Sequence, residues 1–96
     1  MRKDANQIEI EQIDSVDRLK QCAEIMIEAY NSDPWYDDWT QDSARSILAC
    51  YYNTPDFRAW IATSQNDIVA CCIGNIEPYY TGRNFILKDK IGRAHV

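Results

Sequence analysis

Residues 57–77 read FRAWIATSQNDIVACCIGNIE, and this stretch decides the fold. Residues 57–63 are rich in aromatic and β-branched types, Ser64-Gln65-Asn66-Asp67 has the composition of a turn, and 68–77 returns to apolar residues. Two apolar segments around a short polar turn predict an antiparallel hairpin. The unbroken apolar run 68–73 predicts a second strand buried on both faces. Its paired cysteines, Cys71 and Cys72, should point to opposite faces, because side chains alternate along a strand.

Upstream of the hairpin, Ile8 and Ile10 alternate with Glu9 and Glu11, a period of two that predicts a half-exposed strand ending near Ile13. The period then changes. After Asp14-Ser15, either of which can cap a helix, Val16, Leu19, Cys22, Ala23, Met26, Ile27 and Tyr30 recur at three- and four-residue steps, with Arg18, Lys20, Gln21, Glu24 and Glu28 opposite. Asn31-Ser32-Asp33-Pro34 ends that helix, since proline disfavours helical geometry in the residue before it. Thr40 caps a second helix whose apolar stripe is Ala44, Ile47, Leu48 and Tyr51, and Asn53-Thr54-Pro55 ends it. Downstream, Pro78-Tyr79-Tyr80-Thr81-Gly82 reads as a turn or bulged loop, and 84–88 begins another strand. The expected architecture is α+β in the order β-α-α-β-β-(β), a mostly antiparallel sheet with two helices on one face. Nothing after Lys88 is long enough to cover the other face.

The 96 residues make one domain at most, with a composition, 46% hydrophobic and 26% charged, typical of globular chains. A formal charge of −5 is opposite to the footprint that phosphate binding requires, so nucleic acid is not an expected partner. The longest apolar run, 68–73, is far short of the roughly twenty residues of a membrane-spanning helix. Met1-Arg2-Lys3 is followed by Asp4, Asn6, Gln7 and Glu9 where a signal peptide needs apolar residues, which makes the cytoplasm the default address. Cys22, Cys50, Cys71 and Cys72 are expected as buried thiols that pack as small core residues, and no metal site is expected because the lone His95 sits beside the C-terminus.

Three further segments carry a likeness. They are Ile25-Met26-Ile27-Glu28-Ala29-Tyr30-Asn31 running into Asp33-Pro34-Trp35, the hairpin Ala59-Trp60-Ile61-Ala62 to Ile68-Val69-Ala70, and Gly74-Asn75-Ile76-Glu77-Pro78-Tyr79-Tyr80-Thr81-Gly82 before Phe85-Ile86-Leu87-Lys88-Asp89. In these the chain resembles, over roughly residues 7 to 89, the first half of the GNAT superfamily of acetyl-coenzyme-A-dependent N-acetyltransferases. The resemblance implies acetyl transfer from acetyl-CoA to a small-molecule or peptide amine. It departs from the pattern at Asn66-Asp67 and Ala70, where relatives often carry glycine. The family's central strand runs into an Arg/Gln-x-x-Gly-x-Gly/Ala loop whose amides hold the coenzyme pyrophosphate. Asp89-Lys90-Ile91-Gly92-Arg93-Ala94 matches only in its Gly-x-Ala, so no coenzyme-binding residue is assigned in this chain.

Residues 1–90 are therefore expected to be a partial domain of this type. Residues 91–96 are expected to be a non-native tail, because Ile91-Gly92-Arg93-Ala94-His95-Val96 is the translation of ATC GGA AGA GCA CAC GTC, which resembles the start of a sequencing adapter. His95 is accordingly not expected to be a catalytic base.

Asp33, Asp37 and Asp38 with Trp35, Tyr36 and Trp39 mix carboxylates and aromatic rings between the two helices, a combination that attracts and stacks on an ammonium group. The same rings could simply cover the end of the core. Tyr80 lies at a strand end, in a pocket or a plain turn. The resemblance makes Glu77 and Asp89 the carboxylates nearest an acceptor amine, candidates for the base and otherwise ordinary surface groups. A different class of function, a small non-enzymatic module that binds a cationic ligand or partner protein through the 33–39 loop, fits the same residues. The uncovered sheet face and a bare strand edge predict that the chain self-associates.

Overall fold

The computed structural model describes residues 7–93. The readings of Met1-Arg2-Lys3, of His95 and of the end of the 91–96 tail lie outside those residues. The elements run β1 (Glu9–Gln12), α1 (Val16–Lys20), α2 (Ala23–Tyr30), α3 (Gln41–Tyr52), β2 (Phe57–Ser64), β3 (Asp67–Tyr79) and β4 (Gly82–Gly92). The strands form one antiparallel sheet in the order β1-β2-β3-β4, so each pairs with its neighbour in the chain. The helices cover one face, as the sequence predicts. No helix among the described residues is long and apolar enough to cross a membrane.

Local chemistry explains most boundaries. Ser15 Oγ accepts from the Arg18 N–H at 3.1 Å and starts α1. Thr40 Oγ1 accepts from the Ser43 N–H at 3.1 Å while Ser43 Oγ accepts from the Thr40 N–H at 2.9 Å, a reciprocal cap that fixes the first turn of α3. Gln65 and Asn66, with φ of 52° and 71°, close the β2–β3 hairpin at Ser64↔Asp67 in the left-handed turn geometry that matches strand twist.

Four expectations change. The first helix is two, because the Gln21 and Cys22 amides bond to carbonyls three residues back, Arg18 O at 3.2 Å and Leu19 O at 2.9 Å, and tighten the chain before α2 resumes. The break shifts the apolar phase and buries Ile25, which the uninterrupted stripe omitted. Strand β3 continues through Pro78 and Tyr79, leaving only Tyr80 and Thr81 for the turn. Strand β2 has ended by Phe57↔Asn75, so Pro78 has no neighbour on that flank to miss its absent N–H. Strand β4 is a full strand paired to β3 as far as Ala70↔Gly92, with Ile91 buried. Finally, only one face of the 68–73 run is covered: Val69, Cys71 and Ile73 are buried, whereas Ala70 and Cys72 on the opposite face stay partly open.

The core joins Leu19, Cys22, Ile25 and Met26 of the first helical pair and Ala44 and Leu48 of α3 to Ala59, Ile61, Cys71, Ile73 and Ile91 of the sheet. The expectation of buried thiols holds for Cys22 and Cys71 and fails for Cys50, exposed on α3, and for Cys72, which faces the open side of the sheet. The register between β3 and β4 slips after Ile73↔Asp89, the next pair being Gly74↔Leu87, so Lys88 is an extra residue on β4. This bulge reverses the side-chain alternation. Asp89 and Ile91 face the helices, while Leu87 and Phe85 turn to the uncovered face, where Phe85 meets Trp60 edge-on at 5.7 Å.

Candidate functional site

The bulge at Lys88 places Asp89 under the end of α2. At 8% exposure it is the only buried carboxylate among the described residues. Tyr30, the last residue of α2, donates its hydroxyl to Asp89 Oδ1 at 2.5 Å. Burial first, and then the bond to Asp89 and its charge, hold the Tyr30 hydroxyl far above the usual phenol range, so it stays a donor. The Tyr51 hydroxyl of α3 is raised as well, by burial and then by the charge of Asp89. Two protonated phenols therefore face one carboxylate in a half-dry niche, where electrostatic interactions are stronger than in water.

The 31–40 connection reaches this niche from outside. Asn31 grips Trp39 by both main-chain groups: its Oδ1 accepts from the Trp39 N–H at 2.9 Å and its Nδ2 donates to the Trp39 carbonyl at 2.8 Å. The Asp37 N–H bonds to the Tyr30 carbonyl at 2.8 Å. Trp39 packs partly on the core and donates Nε1 to Asp37 Oδ2 at 3.2 Å, so it serves the packing role named among its alternatives. Trp35 is 59% exposed, with its ring edge-on to Tyr30 at 5.4 Å. Tyr36 is exposed at a φ of 52°. An open groove of about 340 Å³ runs past Trp35, lined also by Glu28, Ser32, Asp33, Gly92 and Arg93. Trp35, Tyr30 and Asp89 thus form a continuous line from solvent to the buried carboxylate.

Tyr80 is elsewhere. It sits in the β3–β4 turn, 89% exposed against Tyr79, at the opposite end of β4 from the groove beside Gly92. At about 3.3 Å per residue the two ends are roughly 30 Å apart. Glu77 is exposed on the outer part of β3, where its Oε2 accepts from Asn75 Nδ2 at 3.3 Å. It shares the helix-side face with Asp89 but not the niche. The sequence signal missed Tyr30 as a polar partner, because at the end of an apolar stripe a tyrosine reads as core. It also missed Asn75, which is buried on β3 with no partner for Oδ1.

No group of three or more His, Cys, Asp or Glu that could hold a metal occurs among the described residues. For acetyl-CoA, a pyrophosphate needs a row of amides at a turn into a helix. Residues 89–92 are instead strand paired to β3, and no helix follows among the described residues, so they do not fit that part of the coenzyme.

No protein-family profile matches the chain, and no curated protein does. Solved structures do. A possible acetyltransferase from Clostridium difficile 630 superposes with a TM-score of 0.68 at 13% identity, over 91% of this chain and 58% of that one. The aminoglycoside N-acetyltransferase AAC(6')-Iy in complex with CoA gives 0.66 at 10% identity, over 94% and 58%. The aminoglycoside acetyltransferase meta-AAC0020, from an uncultured soil metagenomic sample and in complex with sisomicin, gives 0.61 at 13%, over 91% and 57%. The chain therefore has the fold of part of a GNAT-type acetyltransferase, and it spans a little under three-fifths of the length of these chains.

Proposed function

We propose that the chain is part of a GNAT-type N-acetyltransferase that moves an acetyl group from acetyl-CoA to an amine, that it contributes the acceptor side of the site, and that the 96 residues alone do not turn over. The observation that carries this reading is the buried Asp89 on β4, held by Tyr30, whose ring in turn meets Trp35 of an acidic, aromatic loop. An amine arriving at neutral pH is an ammonium ion. Asp33, Asp37 and Asp38 attract it, and the faces of Trp35 and Tyr36 stack on it. Asp89 is then the carboxylate suited to take its proton, since Tyr30 fixes it in place, whereas Glu77 is exposed and bonded only to its own strand's Asn75. Acetyl-CoA supplies the acetyl group. The cradle for its pyrophosphate belongs to residues other than those described.

Two measurements test this. Titrating the chain with sisomicin, or with a simple diamine, should quench tryptophan fluorescence saturably, and Trp35→Ala should remove the response. Calorimetry with acetyl-CoA should show no saturable heat. A null amine titration, or millimolar or tighter coenzyme binding, overturns the reading. Sequencing the genomic frame past residue 90 decides the remainder: a further strand, a glycine-rich loop and a helix support the enzyme, while a stop codon there favours the non-enzymatic module.

A further inference from the structure

The uncovered face of the sheet is positive as well as apolar. Arg58 lies opposite Gly74, Lys90 opposite Cys72 and Arg83 opposite Pro78, so all three cations share that face with Trp60, Phe85 and Leu87. The carboxylates of the same strands turn away. Glu9, Glu11, Glu77 and Asp89 are on the helix side, and Asp67 sits at the hairpin end, lining a groove with Arg18 and Glu24. Among the described residues none of the three cations forms an ion pair. The opposite combination, rings with negative charge, stands on the 33–38 loop, where Trp35 and Tyr36 are exposed among Asp33, Asp37 and Asp38. The Asn31 bonds to Trp39 and the contact of Trp35 with Tyr30 hold that loop on the helix side, so it does not reach its own uncovered face.

We propose that the 33–38 loop of one copy docks on the uncovered face of a second copy, seating Trp35 in the apolar depression beside Trp60. That depression, of about 200 Å³, is lined by Ile10, Trp60, Ala70 and Cys72, with Lys90 at its margin. An indole placed there buries apolar area on both partners and offers its face to the Lys90 ammonium. The three aspartates of the loop meet the three cations of the face, and this match of charge sets which surface receives which. Loop and face are different parts of the chain, so the contact is heterologous. They also lie on opposite sides of the sheet, so each docked copy leaves one loop and one face free, and association continues without closing. One ring and a few exposed charges make a small, weak contact that salt screens. A docked copy covers Trp35, so association and the approach of an amine to the loop exclude each other.

Sedimentation of the full chain tests this. At low salt the weight-average sedimentation coefficient should climb with concentration without levelling at a dimer, and raising sodium chloride from about 50 mM to about 300 mM should weaken association by about tenfold. Trp35→Ala should weaken it by a similar factor. Arg58→Glu with Lys90→Glu, and in a separate chain Asp33→Lys with Asp38→Lys, should each associate at least about tenfold less well, because loop and face then carry charge of one sign. An equimolar mixture of these two chains should associate again, each loop meeting the other's face. Circular dichroism confirms that both are folded, and the concentration and salt dependence of the wild-type chain needs neither. A monomeric wild-type chain, a closed dimer, association indifferent to salt, or folded variants whose mixture stays monomeric overturns the proposal. No amine or coenzyme enters these readouts, so their failure is separate from failure of the proposed function.

Discussion

The two faces of the sheet are made by the same strands and end in opposite states. On the helix side Ile61, Cys71, Ile73 and Ile91 are buried against Leu19, Ile25, Met26 and Leu48. On the other side Ile10, Phe85 and Leu87 remain exposed, around a shallow apolar depression of about 200 Å³ lined by Trp60, Ala70 and Cys72. The composition of the two faces barely differs; what differs is a partner layer. The Trp60–Phe85 contact removes some apolar area from water on the open side, but an edge-on pair adds only about 1 kcal/mol beyond its burial. An apolar run in a strand thus reports how many faces could be covered, and the structure reports how many are.

Paired truncations should separate the two faces most clearly. Ile73→Ala, on the covered face at 0% exposure, should lower unfolding free energy in urea by about 3 kcal/mol through lost burial and an unfilled cavity. Leu87→Ala, at 52% exposure on the open face, should cost less than about 1 kcal/mol. Equal losses would show that the two faces are equally packed.

Gly74 lies on the open face, where β3 and β4 approach most tightly. A Cβ there would lie 2.3 Å from the Ile86 carbonyl and 2.5 Å from the Phe85 ring, so Gly74→Ala should cost about 2 kcal/mol. Adding Phe85→Leu should recover only part of this, because the carbonyl is backbone. Full recovery would mean that the ring alone enforces the glycine.

The helix side also holds the titrating groups. The raised Tyr30, Tyr51 and Cys71 bind their protons more tightly folded than unfolded. Their contribution is complete below the ordinary values of 10.0 for tyrosine and 9.0 for cysteine, and it is lost as pH rises towards the higher folded values. Urea midpoints should therefore fall above pH 9, and Tyr30→Phe should flatten the decline above pH 10. An unchanged slope would separate Tyr30 from the buried charge network.

The smallest expected change in monomer stability belongs to the open face. Leu87→Lys with Ile10→Lys should change the unfolding free energy by less than about 0.5 kcal/mol while reducing hydrophobic-dye binding and self-association in sedimentation. A parent chain that is already monomeric and dye-negative would show that the open face does not drive association.

Much of this was legible in the sequence wherever the signal is local. The Thr40 cap, the β2–β3 turn and the opposed Cys71 and Cys72 follow from spacing and turn chemistry within a few residues. The α1–α2 break was not, because no glycine or proline marks Gln21-Cys22 and the tightening lies in main-chain hydrogen bonds. The extent of β4 was hidden for another reason: Lys88 is a bulge, so residues 85–91 do not keep one alternation, and a strand that changes face midway has no single period. The Tyr30–Asp89 bond joins residues on different elements, and resemblance had pointed to Asp89 without supplying its partner. The loop aromatics were legible as a group, but their division into a packed Trp39 and an exposed Trp35 depends on the Asn31 clamp.

That clamp has a consequence for how the chain can vary. One asparagine side chain closes a ring on the main chain of Trp39, so the start and finish of the 32–38 segment are held together whatever lies between them. Loop-closure entropy grows only slowly with length, by about 0.6 kcal/mol for each doubling. Residues inserted between Pro34 and Asp38 therefore leave the approach of α2 to α3 unchanged, and the segment behaves as an exchangeable cassette on a fixed mount: its charge, ring content and length can be rewritten while the carboxylate beneath it stays where it is.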